Sequence, residues 1–300
     1  MQRIIDYFNK EILKNIKKKS IIFGQNITTG SRIAGMTNFL DKLKNSEILN
    51  TQNSENSLIG FGFGICLSGK NAIYLVKQLD FILLGIDHIV NTLNSIYLEK
   101  KSGSFSIITY VVDSGFEGPQ SRFHCLQEIS QLSKANCIYL IFPDDIKYNI
   151  KNINKNKFNI FCLSQKNSRL NLNPKCINSF EKGKIFKYSN GSFATIVSNG
   201  FSSYYVYDKI IKKNINKYDF YTLTNPDIDN LSELVKSIKK TKKLIMFDDS
   251  KSKNKNTLNK LELLVKNLNK KIIIKKYYKN DSIEYLYANE DIYKPNIGKI

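Results

Sequence analysis

Gly60-Phe61-Gly62-Phe63-Gly64-Ile65-Cys66-Leu67, followed four residues later by Ala72-Ile73-Tyr74-Leu75-Val76-Lys77, decides the fold. The first run alternates glycine with large apolar side chains, a composition suited to a helix packed tightly against its neighbours. The second is an unbroken apolar run, as expected of a strand covered on both faces. A helix feeding such a strand is one unit of an α/β protein built on largely parallel sheets. The same reading predicts strands at 21–24, 105–113 and 137–143, and a helix carrying Ile86, Ile89, Val90, Leu93, Ile96 and Tyr97 on one side. The polar stretch 164–190, with Pro174 and several asparagines, breaks the pattern and reads as a linker. Beyond it the alternation resumes. Strands are expected at 194–198, 218–223, 243–247 and 272–277, and helices at 203–213, 229–240 and 257–268. The predicted organisation is a first α/β domain over 1–165, a linker over 166–190 and a smaller α/β domain over 191–300.

The chain has 300 residues, 42% hydrophobic and 24% charged, which excludes a disordered polymer and is long enough for two modest domains. No run approaches the roughly 18 consecutive apolar residues of a membrane span. The N-terminal residues lack the pattern of a secretory signal, so a cytosolic location is expected. Five cysteines, Cys66, Cys125, Cys137, Cys162 and Cys176, include no C-x-x-C pair, and they read as reduced, buried hydrophobes. The net charge of +20 is unevenly spread: 16 Lys+Arg face 13 Asp+Glu over 1–150, and 30 face 13 over 151–300. Nearly all the excess is lysine set among asparagines, with four arginines for bidentate contacts to phosphate or guanine. That composition reads as a solvated lysine face, or a patch for an acidic protein, rather than a nucleic-acid reading module.

Dinucleotide, P-loop, H-E-x-x-H and G-x-S-x-G signatures are all missing. What remains is a small set of polar residues in apolar or glycine-rich surroundings. Glu55 precedes the glycine-spaced run, where a ligand ring can approach backbone; a first-turn acid favoured by the helix dipole is the alternative. His124, in the segment 118–125, follows a strand and a turn-forming loop, and reads as an acid/base group or as a solvated loop histidine. His88, beside Asp87, reads as core packing or a local Asp–His pair.

Taken in order, Glu55-Asn56-Ser57-Leu58-Ile59-Gly60-Phe61-Gly62-Phe63-Gly64, Asp80-Phe81, Ile86-Asp87-His88-Ile89-Val90-Asn91, Gly118 to His124 and Pro143 resemble the successive blocks of the pyrimidine-binding domain of thiamine diphosphate enzymes. The nearest likeness is to the beta subunit of the 2-oxo acid dehydrogenase first component, within the transketolase group. Phe23-Gly24-Gln25-Asn26-Ile27 and Ala34-Gly35-Met36-Thr37 extend it upstream, and Thr222 to Asp227 with Lys240 to Asp249 extend it into the family's C-terminal domain.

The resemblance implies a thiamine diphosphate cofactor and catalytic roles for Glu55 and His124. Glu55 would hydrogen-bond a ring nitrogen of the cofactor's aminopyrimidine, a task that needs a carboxyl group holding a proton near neutrality, which burial promotes. Phe81 would pack near that ring, or simply in the core. Gln25 stands where the family's G-E-[DE]-V pattern has glutamate, and Leu79, with Gln78, replaces positions that are often aromatic beside the pyrimidine. The G-D-G motif that holds Mg2+ and diphosphate does not occur, so a separate alpha-like subunit is expected to supply that half, in an alpha2beta2 heterotetramer. The implied substrate is a small 2-oxo acid or ketose. A split transketolase half acting on sugar phosphates, and a non-catalytic partner subunit, are the other readings.

Overall fold

The computed structural model describes residues 2–98, 101–113, 125–155, 158–250, 257–268, 271–278 and 295. His124 lies outside the described residues.

The first half opens with α1 (Ile4–Asn15), whose Ile4, Ile5, Phe8 and Ile12 recur at helical spacing and are all buried. Then come β1 (Ile21–Gly24), β2 (Glu47–Asn50), α2 (Glu55–Leu67), β3 (Ala72–Gln78) and, beyond a 3-10 turn and a π-helical turn, α3 (Leu93–Leu98). β4 (Phe105–Val111), α4 (Leu126–Leu132), β5 (Asn136–Leu140), α5 (Pro143–Ile150) and β6 (Phe158–Ser164) complete it. The six strands are parallel in the order β2-β1-β3-β4-β6-β5. β4 and β6 are buried at every position, so their continuous apolar runs mark a sheet covered on both faces. The strand expected over 137–143 stops at Leu140. Pro143 instead occupies the first turn of α5, where its fixed φ and missing N–H are tolerated.

The segment expected as a linker carries two strands, β7 (Asn178–Phe180) and β8 (Ile185–Ser189). They join β9 (Ala194–Asn199), β10 (Tyr218–Leu223), β11 (Lys243–Asp248) and β12 (Ile273–Tyr278) in a second sheet of order β12-β11-β9-β10-β8-β7. β9 to β12 are parallel, and β7 and β8 enter antiparallel. α6 (Ser202–Val206), which continues as a π-helical turn, α7 (Ser232–Thr241) and α8 (Thr257–Leu268) cover this sheet. The chain is thus an α/β protein with a parallel six-stranded sheet flanked by helices and a second, mixed-sheet unit.

One continuous hydrophobic cluster runs from the first sheet into the second, joining Phe23, Ile108 and Phe142 to Ile196, Phe220 and Phe247. The seam is hydrogen-bonded. Tyr139 N–H donates to the Thr224 carbonyl and Asn225 Nδ2 to the Cys137 carbonyl, both at 2.7 Å. Phe142 sits in the seam with the rings of Tyr188, Tyr204 and Tyr207 edge-on at 5.0, 5.3 and 5.5 Å. No helix among the described residues is long and apolar enough to cross a membrane.

Candidate functional site

In an open parallel sheet, ligands collect at the carboxyl ends of the strands where successive connections leave in opposite directions. Here β1 connects to β2 on one side, while β3, on its other side, leads on to β4. The switch therefore lies between the carboxyl ends of β1 and β3. A cleft of about 580 Å³ lies elsewhere, between the two units; the one at this sheet edge has about 460 Å³ and is lined by Gln25, Asn26, Lys77, Tyr110, Gln165 and Arg169 beside the 31–34 turn.

These groups come from four strand ends. Gln25 and Asn26 follow β1, Lys77 is near the end of β3, Tyr110 near the end of β4, and Gln165 directly follows β6. The segment carrying Gln165 and Arg169 is organised by Asp113. Its carboxylate accepts from Lys166 N–H at 2.9 Å, Asn167 Nδ2 at 3.2 Å and the Ser164 hydroxyl, fixing the turn that carries Gln165 and Arg169. Burial pushes the Asp113 carboxyl up, and those hydrogen bonds pull it only part of the way back. Burial likewise raises the Tyr110 phenol, against the opposing influence of Ser168 and Arg169. Lys77, Arg169 and Gln165 escaped the sequence reading. Nothing marks them in a motif, and Gln165 and Arg169 begin the stretch read as a linker.

The residues proposed from sequence also fall at this edge: Gln25 after β1, Glu55 after β2, and Leu79 and Phe81 after β3. Gln25 is exposed and lines the cleft. Leu79 is 1% exposed within the main core, and Phe81 is half-buried against that core. Neither lines the cleft, nor does Glu55.

Glu55 occupies the first turn of α2 and is 5% exposed. Among the described residues, its carboxylate takes no hydrogen bond and forms no ion pair. The residue is thus nearly enclosed, while its carboxylate oxygens are not among the fully buried, unpartnered atoms and keep a narrow opening to solvent through which a ligand could reach them. Its charge reaches the buried Tyr74 phenol, which is raised first by desolvation and then by Glu55.

Two of the three glycines of α2, Gly60 and Gly62, serve packing, while Gly64 faces open space. A Cβ at Gly62 would lie 2.3 Å from Phe105 Cζ, and one at Gly60 2.9 Å from His88 Nε2. At Gly60 and Gly62, side chains of the protein itself thus occupy the space in which a ligand ring was expected against backbone. His88 Nδ1 lies 3.1 Å from Thr92 Oγ1, while Asp87 accepts from Asn91 at 2.6 Å, so no Asp–His pair forms.

No family model matches the chain. Over 73 residues, 24% of its length, it is 29% identical to the 2-oxoisovalerate dehydrogenase subunit beta 2, mitochondrial, of Arabidopsis thaliana, and the matched stretch is 20% of that protein. The chain therefore matches about one fifth of the length of this relative. A solved structure described as a split gene transketolase, inactive beta4 tetramer, superposes with a TM-score of 0.63, at 14% identity, over 96% of this chain and 95% of that one. The fold is shared with that chain end to end. Both similarities fall within the transketolase-like and dehydrogenase beta-subunit group that the sequence blocks resemble.

Proposed function

We propose that this chain is the beta-like, pyrimidine-binding subunit of a thiamine diphosphate enzyme acting on a small 2-oxo acid or ketose. Its active site is completed by an alpha-like chain that holds the diphosphate and Mg2+, in an alpha2beta2 heterotetramer. The observation that carries the reading is Glu55, 5% exposed and with no hydrogen-bond or ion-pair partner for its carboxylate among the described residues, at the carboxyl edge of a parallel sheet.

That carboxyl group fits an aminopyrimidine, since it can donate or accept at a ring nitrogen that no protein group replaces. When bound, the cofactor supplies a thiazolium carbon that adds to the substrate carbonyl and an electron sink for the bond broken next. The protein's part is to hold the ring and move protons. Glu55 holds or releases a proton at its Oε atoms, the Phe81 ring bounds the site, and Gln25 offers a neutral amide where the family pattern has a charge. His124, which falls between β4 and α4 in the sequence, takes the acid/base role at the substrate in this reading. Phe61, Leu83 and Leu84 are exposed apolar side chains on α2 and the following 3-10 turn, a surface suited to burial by an obligate partner.

A second reading, a split transketolase half acting on sugar phosphates, is favoured by the structural neighbour and by the two cations, Lys77 and Arg169, at the cleft. The neighbour's inactive beta4 state corresponds, for this chain, to a beta-type half that gains activity with a second chain. The test pairs the chain with a G-D-G-containing partner from its own host, using 2-oxo acids and ketose phosphates in parallel. Turnover that collapses in Glu55→Gln with assembly intact supports the catalytic reading. Turnover that ignores this substitution refutes it.

A further inference from the structure

The cleft of about 580 Å³ between the two units lies away from the proposed catalytic edge. Its walls come from the start of β5, the end of α5 with the 151–155 turn, the turn between β7 and β8, and the end of β10. Lys151, Lys155, Lys182 and Lys184 all line it, and among the described residues no Asp or Glu does. Among the described residues the side chains of Lys151, Lys155 and Lys182 have no ion-pair or hydrogen-bond partner. Lys184 Nζ donates only to the Asp227 carbonyl, at 3.2 Å. Acids of the neighbouring segments are engaged elsewhere: the Asp227 carboxylate with Lys260 at 2.5 Å, and Glu181 with Asn230 Nδ2 at 2.7 Å.

The floor is rigid. Asn149 Nδ2 and the Thr224 hydroxyl both donate to the Gly183 carbonyl, at 3.3 and 2.8 Å, and Asn225 crosses to the first sheet. Gly183 has φ +82°, and a Cβ there would lie 2.1 Å from Tyr148 Cε1, so glycine is required both for conformation and for space. Lys182, just before it, holds a left-handed φ of 55°. The turn is thus fixed with a cation at its tip and the Tyr148 ring beside it.

We propose that this cleft binds a small anion carrying two or more phosphate groups. Four lysines border one concavity with no acid among its described lining residues, and a compact multivalent anion would supply the opposite charge. Lysine is a point-charge partner for phosphate oxygens, and the unengaged Asn152 side chain adds a donor. The volume falls in the range of about 300–1,000 Å³ typical of small-molecule sites. Two sources share this chemistry, free polyphosphate and a nucleoside polyphosphate whose base would lie on Tyr148.

The test is titration calorimetry of the full chain with sodium tripolyphosphate, metal-free ATP and orthophosphate, in wild type, Lys151→Gln/Lys182→Gln, and a control with the same charge change elsewhere, Lys212→Gln/Lys213→Gln. Tripolyphosphate is expected to bind one to one, more tightly than orthophosphate. The cleft variant should bind it on the order of thirtyfold more weakly, with the control unchanged. ATP that exceeds tripolyphosphate, by an increment lost in Tyr148→Leu, identifies a nucleotide; equal affinities identify free polyphosphate. Absence of one-to-one binding, an equal loss in the control, or tighter binding of a poly-glutamate peptide than of tripolyphosphate overturns the proposal. None of these outcomes depends on the catalytic reading of Glu55.

Discussion

Replacing Asp145 with asparagine should flatten the pH dependence of this protein's stability. Asp145 lies in the seam between the two units, 0% exposed. Its carboxylate accepts from Ile141 N–H at 2.9 Å, Phe142 N–H at 2.7 Å and the Tyr188 hydroxyl at 3.1 Å. Burial outweighs those donors and raises its pKa to about 7. An unfolded aspartate titrates near pH ~3.9. Between these values the folded chain holds a proton that the unfolded chain has lost, so the stabilising contribution is complete below about pH 4 and is lost as pH rises towards 7. A gap of about three pH units, at about 1.36 kcal/mol per unit, makes the loss about 4 kcal/mol. Asparagine cannot ionise. Its single acceptor oxygen serves three donors poorly, which costs roughly 1–3 kcal/mol at every pH. The variant should therefore be the less stable protein at pH 4.5 and match or exceed wild type at pH 8. Urea unfolding followed by far-ultraviolet circular dichroism reads this directly, the chain having no tryptophan. Asp113, also raised by burial, is present in both proteins and cancels in the difference. A variant that keeps the full wild-type slope between pH 4 and 7 would refute the reasoning.

Three further outcomes are expected. Glu55→Gln, in the chain assembled with its partner, should lower kcat by about 10²–10⁴-fold, the usual contribution of a positioned acid/base group, with the oligomer unchanged by native mass spectrometry. Gly62→Ala should destabilise the fold by about 1–3 kcal/mol in a urea melt, because the new methyl would sit 2.3 Å from Phe105 Cζ and overpacking outweighs alanine's better helix propensity. Asp219, on β10, is pushed up by burial but held below its ordinary value by Gly191 N–H, Ser237, Lys240 and Lys187, so its contribution is present at neutral pH and lost as pH falls through the depressed value. Asp219→Asn should accordingly unfold at neutral pH in less urea than wild type, and the difference should shrink on acidification.

What the sequence displays follows from where each strand lies. β3, β4, β9, β10 and β11 are covered on both faces, so their apolar runs stand out without any alignment. β2, at the sheet edge, is exposed at three of its four positions and offers no run to read. β7 and β8 enter antiparallel, and β7, at the edge of the second sheet, has no buried position, which is why residues 166–190 resemble a linker. The strand expected over 137–143 runs past its end into Pro143, which opens a helix with proline in the first turn and Asp145 accepting from the N–H groups of Ile141 and Phe142. Glu55 was legible as a position but not as an environment. Spacing puts it in a first turn; only the fold reveals that it is buried and that Gly60 and Gly62 after it seat His88 and Phe105.

The distribution of exposure along the carboxyl edge of the first sheet bears on why such a chain would need a partner. Glu55 is shielded within its own unit, whereas Gln25, Lys77 and Arg169 at the same edge remain exposed, and Phe61, Leu83 and Leu84 leave apolar surface beside α2. A ligand held by this chain alone would have one buried polar contact and an open side, too little desolvation for a carboxyl group to work by differential stabilisation of charge. In the proposed assembly, a second chain laid over that apolar surface would close the open side. Gln25 then has a physical rationale. If the proposed assembly buries this junction, an amide there would carry a smaller desolvation penalty than the glutamate of the family pattern, leaving Glu55 as the acid for the proposed proton transfer.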